Sequence, residues 1–180
     1  MLLDADRSVL LIVDVQERLL PAIHDGAQVL EHCLWLIRLA RRLQVPVVAS
    51  EQYPQGLGRS VAAVREALPA EAFIEKVFFS CVAGDVLQQL PLFGRQQWVV
   101  TGTEAHVCVL QTVLALRAAG KEVFVVAEAV GSRRPFDRDL ALARMARSGA
   151  EVVSREMVAF EWLRRAGTDL FREVNRDFIR

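Results

Sequence analysis

The sequence lacks an excess of either charge, a basic leader and a long hydrophobic run. Its 22 lysines and arginines balance 22 aspartates and glutamates, so no overall field attracts it to nucleic acid or to an anionic membrane. The first residues carry Asp4, Asp6 and only a short apolar run, which fits neither a signal peptide nor a membrane-spanning helix of ~20 apolar residues. We therefore expect a soluble, cytoplasmic protein that binds a small molecule and has no nucleic-acid or membrane partner.

Cysteine is also scarce. Cys33, Cys81 and Cys108 are odd in number, far apart and never spaced as C-x-x-C, so the sequence signals neither a disulfide framework nor a zinc ribbon. We expect three free thiols. The sequence has no linker or internal repeat, and 180 residues with a hydrophobic fraction of 53% are enough for one core. We predict a single domain over residues 1–180.

Short apolar runs rich in valine and isoleucine recur along the chain, and each is typical of a strand buried on both faces. Longer stretches between these runs have helical spacing. Because parallel strands need crossovers that helices supply, the alternation predicts an α/β fold, a Rossmann-like three-layer sandwich with a mostly parallel six-stranded sheet and helices on both faces. The six runs are Val9–Val13, Val45–Ala49, Ala72–Ile74, Trp98–Val100, Val123–Ala127 and Val152–Val153.

Three residues stand out at the carboxyl ends of predicted strands, where such sheets gather their ligands. Asp14 follows the first strand, Lys76 follows the third, and Cys108 opens the helix after the fourth. Each has a plain alternative, since aspartate caps turns, lysine reaches water and free cysteine is often buried. The first turn of a helix lowers the pKa of a thiol and offers N–H groups to an oxyanion, so we expect Cys108 to be an activated nucleophile.

Three motifs carry a resemblance to a known family: LLIVDVQ around Asp14, EKVFFS around Lys76 and TGTEAHVCVLQT around Cys108. With these motifs in this order, the chain from about Ser8 to about Ser154 resembles the isochorismatase-like cysteine hydrolases, which include nicotinamidases and N-carbamoylsarcosine amidohydrolase. The segment EQYPQGLG is most similar to a largely uncharacterised subgroup of hydrolases in that family.

The resemblance implies a triad with Asp14 as general base and acid, Lys76 as its cationic neighbour and Cys108 as the nucleophile. It also implies a cis Thr103–Glu104 peptide bond and an oxyanion hole made by the backbone N–H groups of Glu104 and Cys108. The implied activity is hydrolysis of a small amide, or of a related C–N or ester bond, through a thioester. Assembly as a homodimer or a larger homo-oligomer is common in the family.

Departures from the family's pattern narrow the interpretation. Nicotinamidase relatives carry a metal-binding aspartate and histidines after the second strand, whereas Ala49–Pro54 contains no histidine. We therefore expect no metal, no other cofactor and no activity on nicotinamide. Isochorismatase itself works without the cysteine, so Cys108 argues against isochorismate. We place six residues in the substrate pocket: Gln16, Gln52, Tyr53, Leu57, Phe79 and His106.

The segment after Ser154 holds more apolar side chains than a lone terminal helix pair needs, so we expect some of them to bury against another subunit. They are Met157, Phe160, Trp162, Leu163, Leu170, Phe171 and Phe178.

Two functions of other classes stay open. In a thiol redox protein, Cys108 would be oxidised and then resolved by Cys81 or Cys33, although no C-x-x-C supports this. In a binding protein, the fold would hold a small molecule without turnover. A nucleotide-binding loop is excluded, because Gly56-x-Gly58 lacks the third glycine and the preceding strand of that fingerprint.

Overall fold

A computed structural model describes residues 1–179, whose centre is a sheet of six parallel strands in the order β3-β2-β1-β4-β5-β6. Every neighbouring pair is parallel, so the predicted six-stranded α/β architecture is confirmed and no antiparallel strand belongs to the sheet of the described chain. The strands are β1 (Ser8–Val13), β2 (Val47–Gln52), β3 (Phe73–Lys76), β4 (Gln97–Thr103), β5 (Glu122–Gly131) and β6 (Glu151–Val153).

The strand order reverses once. From β1 the chain adds β2 and β3 on one side, and it then returns to place β4, β5 and β6 on the other. The connections that leave β1 and β4 therefore run in opposite directions, which opens a crevice at the carboxyl ends of these two strands. Asp14 directly follows β1, and Cys108 comes a few residues after β4.

Six of the seven α-helices of residues 1–179 cover the two faces of the sheet, and the short α2 buries no residue. Helices α1, α3, α6 and α7 bury apolar side chains in one core, and α4 and α5 bury theirs in the other. No helix of residues 1–179 is long and apolar enough to cross a membrane. The helices are α1 (Gly26–Arg42), α2 (Pro54–Leu57), α3 (Ala62–Ala67), α4 (Leu110–Ala118), α5 (Pro135–Arg147), α6 (Arg155–Leu163) and α7 (Asp169–Val174).

Strand β1 separates the two cores. All six of its residues are buried; Leu10 and Ile12 belong to the core under α1, while Val9, Leu11 and Val13 belong to the core under α4. Each buried aliphatic side chain stabilises the fold by about 1.5–3 kcal/mol. The strand is therefore held firmly, and its carboxyl end is a rigid support for Asp14.

Some boundaries differ from the prediction. Strands β4 and β5 extend beyond their apolar runs to Thr103 and Gly131, which pair with each other, so backbone pairing sets these ends. Lys76 is the last residue of β3 and does not follow it. A wide π turn, Ala105–Val109, precedes α4. Cys108 is thus the fourth residue of the helical segment and lies beyond its first three positions.

The crossover from β3 to β4 contains short 3-10 turns and no α-helix over residues 77–96. Cys81 and Leu87 anchor it, since both are fully buried in the core under α4. Val77, Phe78 and Phe79 stay exposed directly after the buried Lys76. The crossover thus places an apolar run at the carboxyl edge of the sheet.

The carboxyl-terminal segment only partly fits the prediction of a subunit contact. Trp162 is buried and donates from Nε1 to Ser8 Oγ at 2.9 Å, and the Phe178 ring packs edge-on against Trp35 at 5.6 Å between centroids. Leu163 also packs against the core of the same chain, and Phe171 is half-buried. The exposed apolar side chains of the segment are Met157, Phe160 and Leu170.

Candidate active site

Asp14 occupies the turn at the end of β1. Its backbone is in the left-handed region, with φ of 50°, a conformation that aspartate tolerates better than most residues. Its N–H still donates to Ser50 O of β2 at 3.1 Å, and Thr103 Oγ1 donates to Asp14 O at 2.8 Å. Contacts from β2 and β4 therefore hold the Asp14 backbone on both sides.

The Asp14 carboxylate is fully buried, and each of its oxygens accepts a hydrogen bond. Lys76 Nζ donates to Oδ2 at 2.7 Å, and Ser50 Oγ donates to Oδ1 at 2.6 Å. The side chains of Asp14 and Lys76 are both 0% exposed. Lys76 thus points into the site, and the alternative in which it reaches water is wrong.

The Cys108 thiol lies beside the Asp14 carboxylate and within the field of Lys76. Only 5% of this residue is exposed. The structure therefore brings together Asp14, Lys76 and Cys108, which come from β1, β3 and the turn after β4. All three cysteines of the chain are free, as predicted.

The electrostatics of the thiol differ from the expectation. Burial, reinforced by the negative charge of Asp14, raises the pKa of Cys108 above its ordinary value, although Lys76 opposes this. The expected lowering of the pKa is thus wrong for this structure, because burial and a neighbouring carboxylate outweigh the start of a helix. At neutral pH the proton stays on the sulfur.

Asp14 and Lys76 form a buried ion pair in which the pKa values of both groups are shifted. Burial raises the pKa of Asp14, while Lys76, Ser50 and Cys108 act in the opposite direction. Burial disfavours the Lys76 ammonium, but Asp14 and the nearby thiols overcome it and raise the pKa of Lys76. The site therefore holds a carboxylate whose proton affinity is increased, a cation and a protonated thiol.

The turn before Cys108 has the shape that the resemblance implies, since the Thr103–Glu104 peptide bond is cis. The Glu104 carbonyl accepts from Val107 N at 3.0 Å and from Val109 N at 3.2 Å. These two bonds lie on either side of Cys108 and do not use its N–H. Within residues 1–179, the Glu104 N–H donates to no protein oxygen.

Two further features support this turn. Gly102 has φ of 106°, and a Cβ there would lie 2.1 Å from Val13 O, so no side chain fits where β4 approaches β1. The buried Glu104 carboxylate accepts from Arg133 Nε at 3.0 Å and from Arg133 N at 3.2 Å. The segment after β5 is thereby fastened to the turn that precedes Cys108.

Two of the six predicted pocket residues are placed differently from the prediction. Gln16 is 0% exposed, and its side-chain amide bonds to the main chain of Gln52 and Gly58. The Gln52 amide bonds to Lys76 Nζ and to Val77 O. The side-chain amides of both glutamines are therefore engaged in hydrogen bonds within the protein. At the ends of strands, such inward-facing amides replace backbone partners that are missing.

The other four predicted pocket residues are accessible. Tyr53 and Phe79 are exposed, and Leu57 and His106 are half-buried. His106 Nδ1 lies 2.9 Å from Ser132 Oγ. Sequence reasoning missed Val77 and Phe78, which are also exposed, and Ser50. The available signal for Ser50 was its polar side chain directly after the apolar run Val45–Ala49.

No group of three or more histidine, cysteine, aspartate or glutamate side chains among residues 1–179 is arranged to hold a metal ion.

The family model of the isochorismatase domain matches residues 8–157. The chain belongs to the isochorismatase family. Isochorismatase domain-containing protein 1 of Danio rerio is 37% identical over 170 residues, which are 93% of this chain and 59% of the relative. The chain thus spans about three fifths of the length of that relative.

Two solved structures of the isochorismatase fold are similar over nearly the whole chain. The MAR1 ribonuclease of Caenorhabditis elegans superposes with a TM-score of 0.90 and 31% identity, covering 98% of this chain and 91% of that one. YcaC of Pseudomonas aeruginosa, solved with hexane-2,5-diol and covalent acrylamide, has a TM-score of 0.87 and 26% identity, covering 99% and 92%.

Proposed function

We propose that this isochorismatase-family hydrolase cleaves a small amide, or a related C–N or ester bond, with Asp14, Lys76 and Cys108 as its catalytic residues. The observation that carries the proposal is the buried contact of 2.7 Å between Lys76 Nζ and Asp14 Oδ2, with the Cys108 thiol beside the same carboxylate. Acyl transfer needs a nucleophile, a base and here a cation that controls the protonation state of the base.

In the first step, the Cys108 sulfur attacks the carbonyl carbon while its proton passes to the Asp14 carboxylate. The pKa directions suit this transfer. A thiol that is protonated at rest needs a base beside it, and a carboxylate of raised pKa accepts a proton more readily than an ordinary one. Lys76 keeps Asp14 ionised until the substrate arrives, so the base is ready.

The negative charge that forms on the carbonyl oxygen is received by the backbone N–H groups of Glu104 and Cys108 in this proposal. Asp14 then gives its proton to the leaving nitrogen, the C–N bond breaks, and a thioester remains on Cys108. A water molecule that transfers a proton to Asp14 attacks the thioester carbon, the C–S bond breaks, and Asp14 returns the proton to the Cys108 sulfur. The products are an amine or ammonia, a carboxylic acid and the restored thiol.

We assign substrate contacts to the accessible residues Tyr53, Leu57, Phe79 and His106, and a supporting role to Gln16 and Gln52. Three free thiols fit a reducing compartment such as the cytoplasm, where we place the protein. Exposed apolar side chains on α6 and α7 support assembly as a homodimer or a larger homo-oligomer.

The redox alternative is less well supported. Cys81 shares the core under α4 with Cys108, but burial raises the pKa of Cys81 to about 11. Little Cys81 thiolate is present at neutral pH to resolve an oxidised Cys108. An RNA substrate is also less well supported, because the balance of 22 positive and 22 negative residues provides no net attraction to phosphates.

The test is a panel of primary amides and esters, with ammonia or acid release as the readout and Cys108→Ala as the inactive control. The proposal expects turnover by the wild type on at least one member and a thioester mass on Cys108 after rapid quenching. RNA cleavage, or peroxide consumption with a thiol reductant, without any turnover of the panel would overturn it. So would binding of panel members without turnover.

A further inference from the structure

A pair of glutamines continues the sheet where β1 stops. Strand β1 ends at Val13, whereas β2 runs on to Gln52. The Gln16 side chain fills the vacated position: Gln52 N donates to Gln16 Oε1 at 2.7 Å, and Gln16 Nε2 donates to Gln52 O at 3.0 Å. Gln16 Nε2 also donates to Gly58 O at 2.7 Å. A side-chain amide therefore fixes the backbone of Gln52 as a neighbouring strand would.

The Gln52 side chain in turn contacts Lys76, its partner across the β2–β3 pair. Gln52 Oε1 accepts from Lys76 Nζ at 2.7 Å, and Gln52 Nε2 donates to Val77 O at 2.8 Å. Only one orientation of the amide satisfies both bonds. A flipped amide would place its NH₂ group against the ammonium and its oxygen against a carbonyl.

We infer that Gln52, held by Gln16, is a positioning residue that directs the Lys76 ammonium onto Asp14. The relevance of this role to catalysis rests on the proposed function. The hydrogen bonds of Gln52 do not depend on that proposal. A buried ammonium needs an acceptor for each N–H that it turns away from water. Asp14 Oδ2, directly after β1, and Gln52 Oε1, on β2, supply two of these acceptors, each 2.7 Å from Lys76 Nζ. Lys76 is therefore held by contacts from the two neighbouring strands.

The other titratable groups near Lys76 are the thiols of Cys81 and Cys108. Both are held by elements other than β2, namely the β3–β4 crossover and the turn after β4. Substitution of Gln52 therefore removes an acceptor from Lys76 without deleting any charged group of the site. A change in the titration of Lys76 or Cys108 can then be traced to the lost contact.

The sequence allows Lys76 to be observed directly, because Lys76 and Lys121 are its only lysines. Labelling with lysine that carries ¹³C at Cε gives one NMR signal for each, and each can be titrated with pH. In Gln52→Met we expect the midpoint of Lys76 to fall by about one pH unit, which is a tenfold change in proton affinity. The Lys121 midpoint stays where it is in the wild type.

The alkylation rate of Cys108 is a second readout, and like the titration of Lys76 it needs no substrate. Iodoacetamide alkylates the thiolate of Cys108, which Lys76 favours through its charge. With the ammonium displaced or deprotonated, the pKa of Cys108 rises further, so its alkylation rate at a fixed pH falls in Gln52→Met, tenfold for each unit by which that pKa rises. Peptide mapping separates Cys108 from the two fully buried cysteines.

Gln88→Met is the matched control. Gln88 Nε2 also donates to a main-chain carbonyl, Val82 O at 2.8 Å, in a part-buried position without a lysine. Both readouts stay at the wild-type value in this variant. Gln52→Glu should shift the Lys76 midpoint in the opposite direction, because it keeps an acceptor and adds a negative charge, so the midpoint rises. This variant also tests the inference if Gln52→Met does not fold.

A wild-type Lys76 midpoint and a wild-type Cys108 alkylation rate in folded Gln52→Met, or no rise of the Lys76 midpoint in Gln52→Glu, would overturn the inference and leave Gln52 a structural residue. Failure of the proposed function has another signature. In that case the amide and ester panel is not turned over by the wild type, while the Lys76 titration still responds to both substitutions.

Discussion

Removal of the Ser50 hydroxyl tests how the buried carboxylate is controlled. Ser50 Oγ donates to Asp14 Oδ1 at 2.6 Å, and both residues are 0% exposed. In Ser50→Ala, Oδ1 loses this donor while Lys76 stays on Oδ2. The substitution removes one oxygen atom from a buried position, so it leaves the charge of the site unchanged.

The magnitude follows from the strength of a hydrogen bond to a charged group, about 1.5–3 kcal/mol. One pKa unit corresponds to about 1.4 kcal/mol, so the pKa of Asp14, which burial already raises, rises by a further one to two units or so. Asp14 acts as a base only when it is ionised. The acidic limb of kcat/KM therefore moves to higher pH by the same amount.

Stability changes in a pH-dependent way. An acid whose pKa is higher in the folded than in the unfolded chain costs no stability below its unfolded pKa. The penalty grows as the pH rises above that value and is complete above the folded pKa. Ser50→Ala enlarges this penalty. Its deficit of about 1.5–3 kcal/mol is complete above the variant's folded pKa and disappears below that of the wild type. Where the deficit is complete, it lowers Tm by roughly 3–12 °C for a chain of this size.

The assays are kcat/KM against pH on a substrate from the panel, and Tm by circular dichroism at several pH values. Ser8→Ala is the control, because Ser8 is equally buried at the other end of β1 and donates to Asp4 O at 2.6 Å. It should lower Tm equally at all pH values and leave the acidic limb in place. An unmoved limb in folded Ser50→Ala would refute the reasoning.

Three further outcomes are expected. Cys108→Ala removes hydrolysis and keeps the fold, since a small buried side chain is lost from one core; retained turnover would exclude the thiol as nucleophile. Treatment with a chelator leaves activity unchanged, because the residues described hold no cluster suited to a metal; stoichiometric metal found by elemental analysis and lost together with turnover would contradict this. Light scattering at micromolar concentration gives the mass of at least a dimer, since Met157, Phe160 and Leu170 expose apolar surface; a mass of 20.1 kDa would refute self-association.

Local sequence determined much of this protein. Each of the six apolar runs overlaps a strand, although the runs that begin at Val45 and Ala72 start before β2 and β3. The helical spacing of Val29, Cys33 and Leu36 corresponds to the buried face of α1. These outcomes follow from hydrophobic periodicity, which depends on neighbours in the chain. The same pattern placed Asp14, Lys76 and Cys108 at the carboxyl ends of strands, so the residues of the candidate site could be named from the sequence.

Tertiary structure alone decided how those residues behave. Ser50 and Gln52 contact Asp14 and Lys76 because β2 lies between β1 and β3, and strand order is not written in local periodicity. The pKa of Cys108 rises because folding buries it beside Asp14, which outweighs its place near the start of a helix. Gln16 and Gln52 face inward for the same reason. Burial and long-range contacts exist only once distant segments have packed together. Sequence patterns therefore could not predict the charge states or the hydrogen-bond partners of the site residues.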